Sequence, residues 1–254
     1  MHEFWAFALV GFFAQLVDGA LGMGFGVISA SVLLAQGVPP ALASASVNAA
    51  KLPTTGTAAL SHYLHKNLDW RIITMLCVFG ALGGVIGATV LTSLKGQTLF
   101  VLINIYLLFI GGLIIYRGLK DVVPRVFPQG FTRLIGFAGG LIEGIGGSWG
   151  PIVTTSLLGA GTESRYAIGS SNFSEFVVSI AVFSAFVAAF ALGYWEGGSD
   201  WHAVAWPVAG LVLGGIPAAV MGGYLSKIAP KRPLTIAVGL LAISIGIYRF
   251  ATMQ

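Results

Sequence analysis

Two glycine-rich stretches, DGALGMGFG at residues 18–26 and EGIGGSWG at residues 143–150, decide the fold of this chain. They lie in the middle of two long apolar runs, at 4–35 and 130–160. Glycine at this density weakens the interior of a helix, and a membrane-crossing helix needs only ~20 residues. We therefore predict that each run breaks at its glycines, either as a re-entrant hairpin or as two short helices that meet at the break.

The composition indicates the class of protein in which these runs occur. Of the 254 residues, 56% are apolar and 9% are charged, and there is one cysteine, Cys77. A soluble domain carries about 25% charged residues, so this chain cannot cover a water-facing surface, and one cysteine excludes a disulfide scaffold. The composition therefore predicts an all-α polytopic membrane protein. The remaining apolar runs lie at 45–65, 70–94, 97–119, 165–193, 203–228 and 231–252.

The chain contains an internal duplication. A shift of 124 positions places Gly22–Gly26 on Gly146–Gly150 and Asn48 on Asn172. The tripeptide IYR at 115–117 recurs 132 positions later. Because the two shifts are nearly equal, we predict two repeats, each with one glycine-broken segment and three transmembrane helices.

The repeats are predicted at 1–120 and 130–254, joined by a basic linker at 121–129. If each broken segment returns to its starting side or crosses twice, the repeats are inverted, and ten Lys and Arg residues lie on one face against two on the other. A parallel arrangement divides the same residues seven against five. The positive-inside rule therefore favours inverted repeats with both termini outside the cytoplasm. The ten residues are Lys66, Arg71, Arg117, Lys120, Arg125, Arg133, Arg165, Lys227, Lys231 and Arg232.

Broken helices in inverted repeats are a transporter design, with the ligand held near the mid-plane where the broken segments meet. The N-terminus of a half-helix presents unpaired backbone N–H groups and partial positive charge, which favours an anion. The alternative is that these glycines only permit close helix packing. We prefer the substrate site, whose residues in the two breaks are Gly22, Gly24, Gly26, Gly146, Gly147, Ser148, Trp149 and Gly150.

Polar residues in the helix after each break extend this predicted site. Asn48 and Asn172 occupy matching positions, and because a buried amide needs partners, the pair could flank one ligand. A helix cap or an interhelical hydrogen bond is the alternative for either residue. Ser170 and Ser171 could add hydroxyl groups to the same ligand, or serve only as small residues.

Ionisable residues accompany both breaks. Lys51 and Glu175 each lie three residues beyond one of the two asparagines. Intramembrane charges are costly and indicate function, so the two could pair with each other, or Lys51 could attract the anion; a snorkelling side chain is the alternative. Asp18 and Glu143 open the breaks and could take up protons during transport or accept hydrogen bonds from the loop N–H groups, which we favour. We name Asp18, Glu143 and Glu175 as candidate coupling or gating residues.

One enzyme-like pattern occurs, because Gly146–Gly150 matches G-x-S-x-G with Ser148 in the serine position. A serine hydrolase also needs a histidine within reach, and the few histidines are predicted toward the ends of spans. The ATP-binding pattern G-x-x-x-x-G-K-[ST] does not occur in the sequence. We therefore expect no enzyme, no cofactor and no metal site.

The two breaks resemble those of the sulfite exporter TauE/SafE family of membrane transporters. The downstream elements SVN at 46–48 and SNF at 171–173 add to this resemblance, which covers essentially the whole chain. It implies transport of sulfur-containing anions, such as sulfite, thiosulfate or organosulfonates, across a bacterial-type inner membrane. Proton coupling and a simple electrochemical gradient are both implied as mechanisms, and the sequence does not choose between them.

The leading hypothesis is therefore a secondary transporter, an exporter of small sulfur-containing anions that works by alternating access. The alternatives are a channel or a cation- or proton-coupled carrier that uses the three carboxylates, and an intramembrane serine hydrolase. The expected partners are the anionic substrate and the lipid bilayer, with no nucleic acid, because the basic residues lie in short loops between spans. A homodimer is plausible on general grounds alone.

Overall fold

The computed structural model describes residues 2–94, 96–120, 129–195 and 201–252, and within these ranges all regular structure is helical. The predicted linker at 121–129 lies almost entirely outside the described residues, as do Glu196–Asp200 between two helices. The helices are α1 (His2–Leu21), α2 (Phe25–Ala35), α3 (Pro40–Leu64), α4 (Trp70–Ser93), α5 (Gly96–Leu119), α6 (Gln129–Gly146), α7 (Trp149–Gly159), α8 (Ser164–Ala191), α9 (Trp201–Val220), α10 (Gly222–Ile228) and α11 (Lys231–Ala251).

Both long apolar runs break at their glycines, as the sequence predicts. The first run divides between α1 and α2 at residues 22–24, and the second between α6 and α7 at residues 147–148. Gly22 and Gly147 each have a φ of 67°, which a residue with a side chain rarely adopts. The breaks are narrower than predicted, because Gly146 ends α6 while Gly26 and Gly150 lie inside the first turns of α2 and α7.

Within the described residues, five helices are long and apolar enough to cross a membrane: α1, α4, α5, α8 and α11. A sixth candidate span consists of α9 and α10, which meet at an angle of 61°. The sequence predicts one continuous helix there, and this prediction is wrong at Met221, where the α-helix ends before Gly222 and Gly223. The bend brings Gly222 against Gly19 of α1, since a Cβ atom on Gly19 would lie 2.7 Å from the Gly222 Cα.

Helix α3 is the polar element at the centre of the molecule. It carries Asn48 and Lys51, and it packs between α8 and α9. Most of its residues are buried by protein, from Ala41 to His62. Because its neighbours cover it, α3 does not need the apolar surface that lipid-facing helices such as α4 and α5 present through Leu82 and Phe109.

Helices of the two halves pack in a reciprocal pattern. α1 packs along α9, and α6, which holds the same place in the second half, packs along α4. α3 contacts α9, and α8, the counterpart of α3, contacts α4, the counterpart of α9. The counterparts α5 and α11 pack on each other, as do α3 and α8. Exchanging the halves leaves this pattern unchanged, which supports a duplicated chain. The inverted orientation of the halves in the membrane stays a prediction.

Candidate functional site

The two glycine breaks lie directly against each other, backbone to backbone. A Cβ atom on Gly26 would collide with the carbonyl oxygen of Gly147 and would lie 2.7 Å from the Lys51 amino nitrogen. A Cβ atom on Gly150, which matches Gly26 in the duplication, would collide with the carbonyl oxygen of Gly22 and with Met23. Glycine is therefore required at both positions, because any side chain would separate the two breaks.

A carboxylate of the preceding helix covers the N-terminus of each short helix. Asp18 Oδ1 accepts a hydrogen bond from the Phe25 N–H at 3.3 Å. Glu143 Oε2 accepts one from the Trp149 N–H at 2.8 Å, and Trp149 matches Phe25 in the duplication. The positive end of each short helix thus already faces a negative charge from the same chain. In this state an external anion would have to compete with that carboxylate.

Lys51 lies between the breaks and is buried, without access to solvent. Its amino nitrogen is 2.6 Å from Glu143 Oε1 and 2.7 Å from Glu175 Oε1. It also donates to the carbonyl oxygen of Gly147 at 2.9 Å. A snorkelling Lys51 is therefore excluded, and its pairing with Glu175, one of the two predicted options, is present. In this state two carboxylates oppose the Lys51 charge, so it offers no net positive charge to an anion.

The buried centre around Lys51 contains more carboxylates than cations. Asp18, Glu143 and Glu175 are buried and face one buried cation, Lys51. With all four ionised, the centre would hold two net negative charges, which is costly away from water. Asp18 Oδ2 and Glu175 Oε2 accept no hydrogen bond from the described residues. The centre therefore has the capacity to bind protons or a cation at these two oxygens.

Asn48 and Asn172 are both buried, and their surroundings differ. The Asn48 side chain donates to the Ser44 carbonyl oxygen at 2.9 Å within α3. The Asn172 amide nitrogen lies 3.3 Å from Nε2 of His62, whose Nδ1 lies 3.3 Å from the Asn67 amide nitrogen. Each predicted asparagine keeps a side-chain oxygen without a hydrogen-bond partner among the described residues. These two oxygens are acceptors, whereas anions need donors.

His62 is a site residue that sequence reasoning missed. The sequence places it at the end of a span beside His65, which predicts a surface position. It is buried because α10 folds back at Met221 and covers the end of α3, with Gly223 donating its N–H to Ser61 Oγ at 3.1 Å. Apart from the paired glycines at 222–223, the sequence carries no signal for this bend.

Trp149, a residue of the predicted substrate site, is anchored on α8. It is fully buried, and its indole N–H lies 3.1 Å from Ser171 Oγ and 3.2 Å from the Ser171 carbonyl oxygen. Thr154 of α7 continues this network, since its hydroxyl lies 2.7 Å from Ser171 Oγ and 2.6 Å from the Gly22 carbonyl oxygen. Ser171 and Trp149 thus join the second break to the first through Thr154, a residue that the sequence did not indicate.

The remaining predicted serines each form a hydrogen bond with a backbone group. Ser170 Oγ accepts the Asp69 N–H at 2.8 Å, so this hydroxyl holds the start of α4. Ser148 Oγ, the serine of the G-x-S-x-G pattern, donates to the Gly146 carbonyl oxygen at 3.3 Å. Both ring nitrogens of the buried His62 face asparagine side chains and not Ser148. Among the described residues, no group of three or more His, Cys, Asp or Glu side chains could hold a metal ion.

Comparison with known proteins assigns the family of this chain. The family model described as sulfite exporter TauE/SafE matches residues 7–249. The chain belongs to the TauE/SafE sulfite exporter family. A probable membrane transporter protein of Bacillus subtilis (strain 168), YtnM, is 34% identical over 248 residues, which cover 94% of this chain and 80% of that protein.

A second relative is more distant. The probable membrane transporter protein ORF9 of a Sinorhizobium species is 27% identical over 186 residues, which cover 69% of each chain. No solved structure matches this chain. With its apolar helices, membership of the TauE/SafE family makes the chain a multi-pass membrane protein of a transporter family.

Proposed function

We propose that this TauE/SafE protein is a secondary transporter that exports small sulfur-containing oxyanions, such as sulfite, thiosulfate or organosulfonates, by alternating access. The observation that carries the proposal is Lys51, a fully buried cation whose amino group lies between the two glycine breaks, beside Gly26 and Gly147. A buried cation next to two half-helix N-termini is a combination that attracts an anion once the carboxylates that now occupy these donors are neutralised. The family description supports the substrate class.

The carboxylates define how such an anion would bind. Asp18 and Glu143 hold the two half-helix N-termini, and Glu143 and Glu175 hold Lys51. An oxyanion can replace a carboxylate at these donors only if the excess negative charge is neutralised, because the centre already holds more carboxylates than cations. We therefore propose that proton uptake by the carboxylates accompanies anion binding, so that Asp18, Glu143 and Glu175 couple the two events.

The orientation of this transporter is part of the proposal. The charge distribution over the sequence supports a cytoplasmic face at the ends of α3, α5 and α9–α10, with both termini outside and an inner-membrane location. Export then requires the anion to enter from that basic face. Basic residues at the entrance would raise the local concentration of an anion.

The decisive experiment measures anion flux into proteoliposomes that contain the purified protein. Sulfite, thiosulfate and a small sulfonate are compared with sulfate and chloride, and the wild type is compared with Asn172→Ala. Saturable flux of one sulfur anion, reduced at least about tenfold in Asn172→Ala, supports the proposal. Ser184→Ala, an exposed position on the same helix, is the matched control and should transport normally. Unchanged flux in Asn172→Ala would remove this residue from the site.

A cation-coupled carrier without anion transport is the second candidate, favoured by one observation. Asp18 Oδ2 and Glu175 Oε2 are buried acceptors without hydrogen-bond partners among the described residues. That candidate predicts cation flux that does not depend on the anion supplied and is lost in Glu143→Gln. The anion transporter predicts instead that flux follows the sulfur anion when the cation is exchanged.

A further inference from the structure

A basic pocket lies away from the buried Lys51 centre, where α5 and α7 end and α8 and α11 begin. It is a partly open cavity of about 400 Å³. Four cationic side chains line it: Arg117, Lys120, Lys231 and Arg232. No aspartate or glutamate is among the described residues that line it. All four cations belong to the ten basic residues that the positive-inside rule places on the cytoplasmic face.

Three of these cations contact neutral groups. Lys231 donates to Ser164 Oγ, Arg232 donates to the Leu119 carbonyl oxygen at 3.2 Å, and the Lys120 amino group lies 4.7 Å from the centre of the Tyr116 ring. None of the four forms an ion pair with a carboxylate in the described part of the chain. Four cations that line one pocket, with no carboxylate among its described lining residues, produce a positive potential there.

The pocket extends from these cations toward the first glycine break. Met23, which lies between α1 and α2 and against Gly150, contributes to its lining together with Thr155 of α7. Met23 is itself buried. An anion held by the cations would therefore lie on the side of the molecule from which the break is approached.

The duplication provides a contrast at the opposite end. Arg249 matches Arg117 after the shift of 132 positions, and it is buried. Its guanidinium bonds the Leu34 carbonyl oxygen and Asn104 Oδ1, the latter at 3.0 Å. Leu158, which matches Leu34, lines the basic pocket together with Arg117. One end of the molecule is thus closed around its arginine, while the related end leaves an open cavity.

We propose that the basic pocket is an oxyanion-binding site at the mouth of the transport path, where an anion is held before it reaches the glycine breaks. The role in the path rests on the function proposed above, whereas binding of an oxyanion group does not. Arginine and lysine donate charge-assisted hydrogen bonds to sulfur or phosphorus oxyanions. The group could come from a free sulfur oxyanion or from the phosphate of an anionic lipid, since basic pockets between membrane helices also hold lipid headgroups.

A binding measurement tests the site without requiring transport. Sulfite is titrated by calorimetry into protein reconstituted in phosphatidylcholine nanodiscs. The double variant Lys231→Gln/Arg232→Gln is compared with Arg71→Gln/Arg133→Gln, which removes two cations from the same predicted face outside the pocket. We expect the dissociation constant to rise at least about tenfold in the pocket variant and to stay within about twofold in the control.

A lipid measurement identifies the source of the group. Phosphatidylglycerol retained by the purified protein is counted by native mass spectrometry for the same variants. Loss of lipid in the pocket variant with unchanged sulfite binding assigns the site to a lipid headgroup and removes its role in the path. If neither sulfite binding nor lipid retention differs between the pocket variant and the control, the proposal is overturned.

Flux separates the failure of this inference from the failure of the proposed function. If the wild type binds sulfite in the pocket but moves no sulfur anion, the site stands and the transport proposal fails. If flux is present and its half-saturating sulfite concentration is the same in both double variants, the pocket is not on the path. Lys120→Gln, at an exposed position, provides a milder variant should the double substitution impair folding.

Discussion

The amino group of Lys51 lies 2.6 Å from Glu143 Oε1, and both side chains are completely buried. This pair joins α3 of the first half to α6 of the second. The other carboxylate oxygen of Glu143 accepts the Trp149 N–H, so one side chain links the cation to the second half-helix. The charged centre is thus part of the contact between the two breaks. A change in its charge should therefore alter the packing of both breaks.

Removal of the Lys51 charge should destabilise the protein strongly. Lys51→Met leaves Glu143 and Glu175 as buried carboxylates without their cation, a loss of about 3–5 kcal/mol for a broken buried pair. We expect a lower unfolding temperature in detergent, partly restored in Lys51→Met/Glu175→Gln because the second substitution removes one of the uncompensated charges. Equal unfolding temperatures for the single and double variants would contradict a charge-based role for Lys51.

Contact between the breaks should make Gly150 intolerant of a methyl group. The Cβ atom of Gly150→Ala would meet backbone atoms of Gly22 and Met23, which cannot move aside as a side chain can. We expect a loss of at least about 2 kcal/mol from overpacking. Gly112→Ala is the matched control, because Gly112 is also helical and its Cβ would meet nothing within 4 Å. The comparison is made by thermal unfolding, and equal behaviour of the two variants would show that the breaks are not tightly packed.

Much of the helical framework could be predicted from the sequence. The glycine density at 18–26 and 143–150 located both breaks, because backbone propensity is a local property. Apolar run length located α4, α5, α8 and α11 within a few residues. The bend at Met221 was not predicted, because the paired glycines at 222–223 are a weak local signal and the bend depends on the close approach of Gly19 and Gly222, which are distant in the sequence.

The charged centre was predicted only in part. The sequence suggested a pairing of Lys51 with Glu175, from their matching positions. The contact between Lys51 and Glu143, residues 92 positions apart, depends on how α6 packs against α3. His62 is buried for a similar reason, since α10 covers it. Sequence reasoning thus found the ionisable residues, whereas their partners follow from tertiary packing.

The two glutamates of the centre should differ in their effect on stability and resemble each other in their effect on coupling. Glu143→Gln weakens both the Lys51 pair and the Trp149 cap, whereas Glu175 Oε2 has no hydrogen-bond partner among the described residues. We expect Glu143→Gln to be the less stable variant, and sulfite flux to lose its dependence on a pH gradient in both. Flux in proteoliposomes with and without that gradient provides the measurement, and full gradient dependence in both variants would contradict carboxylate coupling.

The predicted inverted repeats would place Thr252 and Lys66 on opposite sides of the membrane. Cys77 is the only cysteine of the chain. A Cys77→Ala variant therefore provides a cysteine-free background into which one reporter cysteine at a time can be introduced. We expect a membrane-impermeant maleimide to label Thr252→Cys in intact spheroplasts and to label Lys66→Cys only after lysis, since both positions are exposed. Labelling of both before lysis, or the reverse order, would contradict the predicted orientation.

His62 and Asn172 should act as one unit in transport. The His62 Nε2 lies 3.3 Å from the Asn172 amide nitrogen, and both side chains are buried, so truncating either leaves the other unsatisfied. An unsatisfied buried polar group costs about 1–3 kcal/mol, and we expect His62→Ala to reduce sulfite flux by about tenfold if this cost raises the barrier to transport. The double variant His62→Ala/Asn172→Ala should be no slower than Asn172→Ala, because coupled residues are not additive. His65→Ala, at an exposed position one turn away, should transport normally. Multiplicative losses in the double variant would show that His62 and Asn172 act independently.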